Sequence, residues 1–462
     1  MIRILSNQTP QHTGETVTVA GWVHAKRDHS KVLFIDLRDR TGLLQVVTGT
    51  FAPESFAVLS QVSSEDVVEI TGTVAARPEK LVNPNIPSGT VELQASTARI
   101  LNHSLVPPFE VNGDTSTVEE ELRLKYRYLD LRTERMAKNL RMRATVVKFI
   151  RAFLDERDFT EVETPILTAS TPEGARDYIV PTRSKGQFYA LPQSPQQFKQ
   201  LLMVAGVERY YQVAKCLRDE DTRGDRQPEF TQLDMELSFV EQEDIMQLNE
   251  ELLLAIVHTL YPEKKIQQVP FPRLSYAEAM EKYGTDRPDL RDDKSDPNLL
   301  AFCWVVDFPF FEKTDTGSWT FTHNPFSQAK PQHREWLMKG EHISEILTTQ
   351  YDVALNGYEI GGGSIRSHEP DALRATFNIM GYEPERVEQH FGHMLTALSY
   401  GAPPHGGIAW GLDRLLMLLQ GEPNIREVIP FAKTGEGRDP LTGAPSPISQ
   451  AQLKELGLNL NS

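Results

Sequence analysis

Tyr210-Tyr-Gln-Val-Ala-Lys-Cys-Leu217, Arg218-Asp-Glu-Asp-Thr-Arg-Gly-Asp-Arg-Gln227 and Pro228-Glu-Phe-Thr-Gln-Leu-Asp-Met-Glu-Leu-Ser-Phe239 follow one another without a break. Apolar runs at Tyr210 to Leu217 and Phe230 to Phe239 read as two strands joined by a charged loop. Working outward, Gly361 to Arg366 begins another strand. Phe159 to Leu167 reads as a further one, with Pro165 inside it and therefore at an edge or boundary. Met136, Leu140, Val147, Ile150 and Leu154 fall at helical spacing across residues 134 to 157, and a final helix runs from Leu412 to Gln420 between Gly411 and Gly421. Tight βαβ alternation is missing, as are the GxGxxG and GxxxxGK[ST] phosphate loops. The expectation is an antiparallel sheet flanked by helices in an α+β domain, not a Rossmann fold.

Residues 16 to 101 read differently. Val17, Val19 and Val23 alternate with other residues, and runs follow at Val32 to Leu37, Leu43 to Val47, Val67 to Val74 and Val91 to Ile100. Helical spacing at Phe56, Val58, Leu59 and Val62 falls between the third and fourth of these. Five strands with one helix after the third suit an OB-type Greek-key barrel, which presents strands 2 and 3 to oligonucleotides. Pro107-Pro108 and Gly113-Asp114 then break the pattern. The expected organisation is a barrel domain at 1–104, a linker at 105–133 and a larger domain at 134–462.

Length and composition agree with such a multidomain chain: 462 residues, 39% hydrophobic and 24% charged, are those of a globular protein and not of a disordered one. No early apolar run follows a basic start and no stretch is apolar enough to span a bilayer, so the expected location is the cytoplasm. Cys216 and Cys303 are too far apart in sequence for a CxxC pair, which argues against a zinc site or a disulfide framework. A net charge of -16 argues against nonspecific binding of nucleic acid. Residues 1 to 104 carry nine Lys/Arg against ten Asp/Glu, however, so the barrel is near neutral and free to bear a local basic face.

Three segments carry possible chemistry. In the loop, Arg218 and its neighbours offer planar forks of donors suited to phosphate or carboxylate; the bland alternative is a solvated hairpin tip. In Asp352-Val-Ala-Leu-Asn-Gly-Tyr-Glu359-Ile-Gly361-Gly-Gly363-Ser-Ile-Arg366, continued strand pairing would bring Asp352 and Glu359 together as hard oxygen ligands for Mg2+. Its three glycines either let a ring or phosphate lie on the backbone or form a flexible turn. Gly411-Leu-Asp-Arg414 opens the last helix with an arginine in its first turn, a ready anion site or simply a solvated helix start.

In this order and spacing the segments resemble the signature motifs of class II aminoacyl-tRNA synthetases: Pro165 with its preceding helix motif 1, Arg218 through Phe230 motif 2, Gly411 to Arg414 motif 3. Thr171 to Tyr178, Gln193 to Gln200 and Phe271 to Met280 resemble the bacterial-type aspartyl-tRNA synthetase family, and the likeness runs from about Gly14 to Leu458. The resemblance implies ATP-dependent formation of aspartyl-adenylate and transfer of aspartate to the terminal adenosine of aspartate tRNA, expected at its 3'-OH. It further implies Mg2+ held by Asp352 and Glu359, and a homodimer formed through motif 1. Arg218 would hold the ATP α-phosphate and the aspartate carboxylate; Asp219, Glu220, Gln227, Gly411, Leu412 and Asp413 would meet the nucleotide; Arg414 would grip the γ-phosphate. Arg218, Arg414 and Glu359 are thus the expected catalytic residues. Lys199 and Arg366 would pair with the side-chain carboxylate, Glu173 would sense the α-amino group, and Gln196 and His323 would complete the pocket. Neither step needs an enzyme nucleophile, since positioning and charge stabilisation suffice; no residue stands out as a general base.

On the barrel the resemblance assigns the anticodon to Phe34, Gln45 and Glu92, with Arg27 on the backbone. His29 resembles the type that also aspartylates asparagine tRNA, whereas Lys80 does not; the reading leans to relaxed specificity. Two departures stand out. Only 62 residues separate Phe239 from Phe302, so the domain-sized insertion usual in bacterial relatives is missing near 285–300, and Asn324 replaces a second histidine after His323. Two competing readings are an aspartate-activating paralogue that needs no tRNA, disfavoured by the intact barrel, and a non-catalytic RNA-binding paralogue, disfavoured by the presence of Arg218, Glu359 and Arg414.

Overall fold

Alternation in the first hundred residues closes into a barrel. In the computed structural model, which describes residues 3–170, 174–222 and 224–460, the strands are β1 (Thr16–Asp28), β2 (Val32–Asp39), β3 (Gly42–Gly49), β4 (Val67–Ala76) and β5 (Val91–Asn102), with helix α1 (Pro53–Leu59) after β3. They pair in the closed order β1-β2-β3-β5-β4. Every second side chain faces inward, so Val17, Val19, Leu33, Ile35, Leu37, Leu44, Val46, Ile70 and Leu93 form one buried core while Phe34, Asp36 and Gln45 remain outside it.

The chain divides into two compact units, Met1–Ala137 and Lys138–Ser462. Residues 105–133, expected as a linker, are instead partly folded. Helical turns at Glu120–Lys125 and Arg127–Asp130 lie beside a small core of Phe109, Val111 and Leu129. The fully buried Asp130 accepts hydrogen bonds from Thr115 Oγ1 at 2.7 Å and Arg127 Nη1 at 2.6 Å.

The second unit is built on an eight-stranded sheet. In chain order its strands are β6 (Thr160–Glu161), β7 (Arg209–Leu217), β8 (Glu229–Ser238), β9 (Arg273–Ser275), β10 (Phe302–Val306), β11 (Gln350–Leu355), β12 (Tyr358–Ile365) and β13 (His405–Gly411). Their spatial order is β9-β10-β11-β12-β13-β8-β7-β6. The central pairings are antiparallel, as expected, but β9–β10 and β6–β7 at the two edges are parallel. The predicted strand at Phe159 to Leu167 shrinks to Thr160–Glu161, so Pro165 lies beyond it. Helices α2 (Glu134–Asp155, from Lys138 onward), α3 (Gln196–Val204), α4 (Gln242–Leu260), α5 (Tyr276–Tyr283) and α6 (Leu412–Gln420) belong to the same unit. The helix expected to be last is followed by another at Gln450–Leu456, whose capping box is built by Ser449 and Gln452.

The glycine run of β12 forms strand, not a flexible turn, paired on both sides with β11 and β13, and here and in β13 close neighbours leave no room for side chains. A Cβ on Gly362 would lie 2.5 Å from Asp352 Oδ1, and one on Gly407 in the adjacent β13 would lie 2.1 Å from Glu236 Oε2. Bare backbone at these points lets carboxylates stand on the sheet's face.

Candidate active site

β7 and β8 form the predicted hairpin, in register from Glu229↔Leu217 to Leu237↔Arg209. A cavity of about 300 Å3 opens over the sheet. Eight of the residues singled out from the sequence line it: Gln196 and Lys199 on α3, Arg218 and Glu220 after β7, His323, and Asp352, Glu359 and Arg366 on or beside β11 and β12. Residues more than a hundred positions apart are brought together because α3 and the strands β8, β11, β12 and β13 turn the same face to this space. Glu173 lies outside the described residues.

Sequence reading missed Asp234 and Glu236. Both point from β8 into the buried floor, and they pair with the two cations predicted to be open to substrate, Asp234 with Lys199 and Glu236 with Lys199 and Arg366. Lys199 Nζ lies 2.7 Å from Asp234 Oδ1 and 3.1 Å from Glu236 Oε2. Arg366 donates through Nε to Glu236 Oε1 at 2.9 Å, through Nη2 to Glu236 Oε2 at 3.2 Å and to the Gly407 carbonyl at 3.3 Å, and through Nη1 to Ser364 Oγ at 3.0 Å. All four charged groups are at most 2% exposed. Burial would push the Glu236 carboxyl up, but Arg366 and Lys199 outweigh it and hold the group at about 2. For Asp234, burial wins over Lys199 and its carboxyl sits above the usual range. Asp234 Oδ2 is buried without a hydrogen-bond partner.

Donor counting gives this cluster its chemical character. Lys199 has three N–H bonds and two acceptors; Arg366 has five and spends four. One donor on each remains at the cavity, a pair suited to the two oxygens of a carboxylate. Nearby, Gln196 Nε2 donates to Gln200 Oε1 at 3.1 Å, and Gln200 Nε2 lies 3.1 Å from His405 Nε2. His405 Nδ1 lies 2.8 Å from the Pro403 carbonyl and so carries the proton, leaving Nε2 to accept from Gln200.

Across the cavity stand Asp352 and Glu359. Burial raises the Asp352 carboxyl well above its ordinary range and the charge of Glu359 raises it further. Its Oδ1 accepts from Gln350 Nε2 at 2.7 Å, and His323 Nδ1 lies 4.0 Å from Oδ2. Burial pushes the His323 imidazole below its usual value despite the opposing pull of Glu359. No lysine or arginine pairs with either carboxylate among the described residues, so two hard oxygen donors repel each other at one wall. That donor set fits Mg2+, which takes one or two carboxylates and completes its shell with water and phosphate.

The remaining nucleotide candidates lie outside the cavity lining. Arg218 lines the cavity, with its guanidinium 5.1 Å from the Phe230 ring, and Glu220 pairs at 3.5 Å with Arg226. Asp219 is held by its backbone N–H on the Arg176 carbonyl at 3.1 Å. Gln227 is 6% exposed, and its Oε1 accepts the Lys433 N–H at 2.8 Å. Leu412 is completely buried. The Asp413 carboxylate turns into the core, accepting from Arg143 and from the Thr231 N–H at 2.8 Å, and so pins α6 to α2 and β8. Gly411 is the N-cap of α6. Arg414, in its first turn, donates to the Glu359 carbonyl and through Nη2 to Asp225 Oδ2 at 3.1 Å.

On the barrel unit, Phe34 stands half-exposed with the His29 ring edge-on at 5.7 Å. Arg27 grips Asp36 through two hydrogen bonds of 2.6 and 3.0 Å. Gln45 Nε2 donates to Glu92 Oε2 at 2.9 Å while its Oε1 accepts from Arg77, a residue the sequence reading passed over. Lys80 lies exposed in the short turn Glu79–Leu81.

Residues 119–435 match the family described as tRNA synthetases class II (D, K and N), and residues 17–101 match the OB-fold nucleic acid binding domain. An aspartate–tRNA(Asp/Asn) ligase of Rubrobacter xylanophilus is 41% identical, covering 97% of this chain and 95% of its own. One from Dehalococcoides mccartyi is 40% identical, covering 98% of each. The first alignment extends over 581 residues, more than this chain possesses, so that relative carries sequence absent here. Among solved structures, the asparaginyl-tRNA synthetase from Pyrococcus horikoshii complexed with asparaginyl-adenylate superposes with a TM-score of 0.73 at 23% identity, covering 92% of this chain and 96% of that one. Aspartyl tRNA synthetase from Entamoeba histolytica gives 0.73 at 22%, covering 93% and 91%. The likeness to these two structures is one of fold.

Proposed function

Because the chain belongs to the class II tRNA synthetases and shares about 40% of its residues, over nearly its whole length, with aspartate–tRNA(Asp/Asn) ligases, we propose that it activates L-aspartate with ATP and transfers it to aspartate tRNA and asparagine tRNA. The observation that carries the choice of amino acid is the donor pair left on Lys199 and Arg366. A carboxylate satisfies both donors. An asparagine carboxamide accepts with one oxygen only and turns its own N–H2 toward a donor, leaving one N–H of a buried charged group unsatisfied, which costs about 3 kcal/mol.

The mechanism follows from the positions of the side chains. Asp234 Oδ2, buried and unpartnered, accepts from the substrate's ammonium together with Gln196, whose side chain is braced through Gln200 and His405. That fixes the α-carboxylate toward Arg218, where it attacks the ATP α-phosphorus in line and pyrophosphate departs. Arg218 lies against the charge that develops on the α-phosphate, and Arg414 takes the terminal phosphate. Asp352 and Glu359 would hold Mg2+, which neutralises phosphate charge. A ribose hydroxyl of the tRNA's terminal adenosine then displaces AMP. Positioning and preset charge supply the rate, with no enzyme nucleophile.

Phe34, Gln45 and Glu92 serve as the anticodon face, with His29 against Phe34 supporting the relaxed tRNA choice that the relatives' names carry. A homodimer through the Pro165 region is supported by the exposed apolar side chains Ile166, Leu167, Ile179, Phe188 and Tyr189. No helix among the described residues is long and apolar enough to cross a membrane.

The test is parallel charging of aspartate tRNA and asparagine tRNA transcripts with radiolabelled aspartate, ATP and Mg2+. Both are expected to be acylated with aspartate. Acylation of neither would overturn the reading; acylation of aspartate tRNA alone would remove the relaxed specificity.

A further inference from the structure

The segment after α5 was legible only as the place where relatives carry more sequence. It also supplies a charge to the nucleotide end of the site. Gly284 caps α5 in the left-handed conformation (φ 67°), the Arg287 N–H donates to Thr285 Oγ1 at 3.3 Å, and Asp289 holds Arg291 through Oδ1 at 3.0 Å and Oδ2 at 2.8 Å. Asp289 Cβ stands 3.4 Å from where a Cβ on Gly357 would be, which seats the segment against the turn between β11 and β12. This fixed turn directs Arg287 Nη1 to 3.9 Å from Asp225 Oδ2, the same oxygen that accepts from Arg414 Nη2 at 3.1 Å.

Charge counting shows what this arrangement does. Arg414 and Asp225 cancel, so alone they would offer the polyanionic tail of ATP no net attraction. Arg287 restores one positive charge beside Asp225, while the carboxylate of Asp286 in the same turn acts on the His323 and Asp352 wall. It also gives Asp225 a second partner, so that Arg414 can turn to a phosphate without leaving a carboxylate beside it unpaired.

Resting on the reading that Arg414 takes the terminal phosphate, we infer that Arg287 is a positioning residue for the tail of ATP: it keeps the Arg414–Asp225 locus cationic and takes over Asp225 when phosphate arrives. Asp225 is thereby a resident competitor for Arg414.

The experiment is equilibrium binding of ATP with Mg2+ to the full chain by titration calorimetry, without aspartate or tRNA. Arg287→Ala is expected to weaken ATP by about three- to fivefold, the scale of one part-exposed ion pair. Arg287→Lys, which keeps the charge, stays within about twofold of the parent. Asp225→Asn binds at least as tightly as the parent, and Asp225→Asn combined with Arg287→Ala returns to within about twofold of it, because both charges have been removed. Parental affinity in Arg287→Ala overturns the inference. So does a double variant as weak as Arg287→Ala, which would make Arg287 a mere anchor of the loop. Absence of aspartate-dependent pyrophosphate exchange in the parent would defeat the functional reading instead, and the ATP affinities would still decide this one.

Discussion

Replacing Glu236 by Gln tests whether the buried four-charge cluster is what holds the amino-acid pocket in shape. Glu236 is completely buried and carries two hydrogen bonds from Arg366, at 2.9 and 3.2 Å, with Lys199 Nζ at 3.1 Å. A glutamine keeps one acceptor oxygen but presents N–H2 to a guanidinium, so one buried cation loses its counter-charge. Breaking such a pair costs about 3 to 5 kcal/mol, and the retained oxygen places this case near 3. The pKa agrees in size: a carboxyl held at about 2 against 4.5 when unfolded corresponds to about 3 kcal/mol at neutral pH. The melting temperature followed by circular dichroism at pH 7.5 should fall by about 4 °C. The sign of the pH dependence is set by the depressed pKa: the stabilisation is fully present above about pH 4.5 and fades as pH falls toward 2, while glutamine does not titrate. The gap between wild type and variant should therefore be constant from pH 7.5 to about 5 and narrow below 4.5. A variant that melts within about 1 °C of wild type, or a gap that persists undiminished toward pH 2.5, would refute the argument.

Lys199→Met removes one of the two free donors together with the partner of Asp234, and should raise the KM for aspartate in pyrophosphate exchange at least about 100-fold, as for loss of one buried charge-assisted contact, with the KM for ATP little changed. Phe34→Ala should weaken aspartate tRNA by about 1 to 3 kcal/mol, the usual worth of one base stacked on an aromatic ring; aspartate-dependent exchange without tRNA should keep its rate, and an unchanged KM for tRNA would remove Phe34 from the anticodon face. Glu359→Gln leaves Asp352 as the sole charged oxygen donor at its wall, so Mg2+ titration of the exchange reaction should shift to higher concentration by about tenfold or more; an unshifted curve would contradict the assignment.

The barrel was legible almost residue by residue because its alternation decides everything: Leu33, Ile35 and Leu37 face a core, Phe34 does not. Site residues carried by charged loops and glycine-rich strands, such as Arg218, Glu359 and Arg366, were singled out through the family resemblance of their segments, and they line one cavity. Asp234 and Glu236 were not, since charged residues in a strand suggest a solvent face and here both faces of β8 are buried. Their signal was present all the same: Gln232, Asp234 and Glu236 alternate with Leu233, Met235 and Leu237 in a strand whose one other charge, Glu229, stands at its first position, the mark of a polar face turned into a site. Nor was the direction of the Asp413 side chain legible. Motif position places a residue near a ligand but does not set the direction of its side chain, and the first turn of α6 points this one at Arg143 and the Thr231 N–H. The strand read over Phe159 to Leu167 stops at Glu161, ahead of Pro165, and Ile166 and Leu167 beyond it are about half exposed.

The central claim is that the pocket under Lys199 and Arg366 selects a carboxylate for adenylation. Pyrophosphate exchange with ATP and Mg2+, run with aspartate and with asparagine and without tRNA, tests it most directly. The account predicts exchange with aspartate and at least about 100-fold less with asparagine, the worth of one buried charged donor left unsatisfied; equal exchange with both, or none with aspartate, would contradict it.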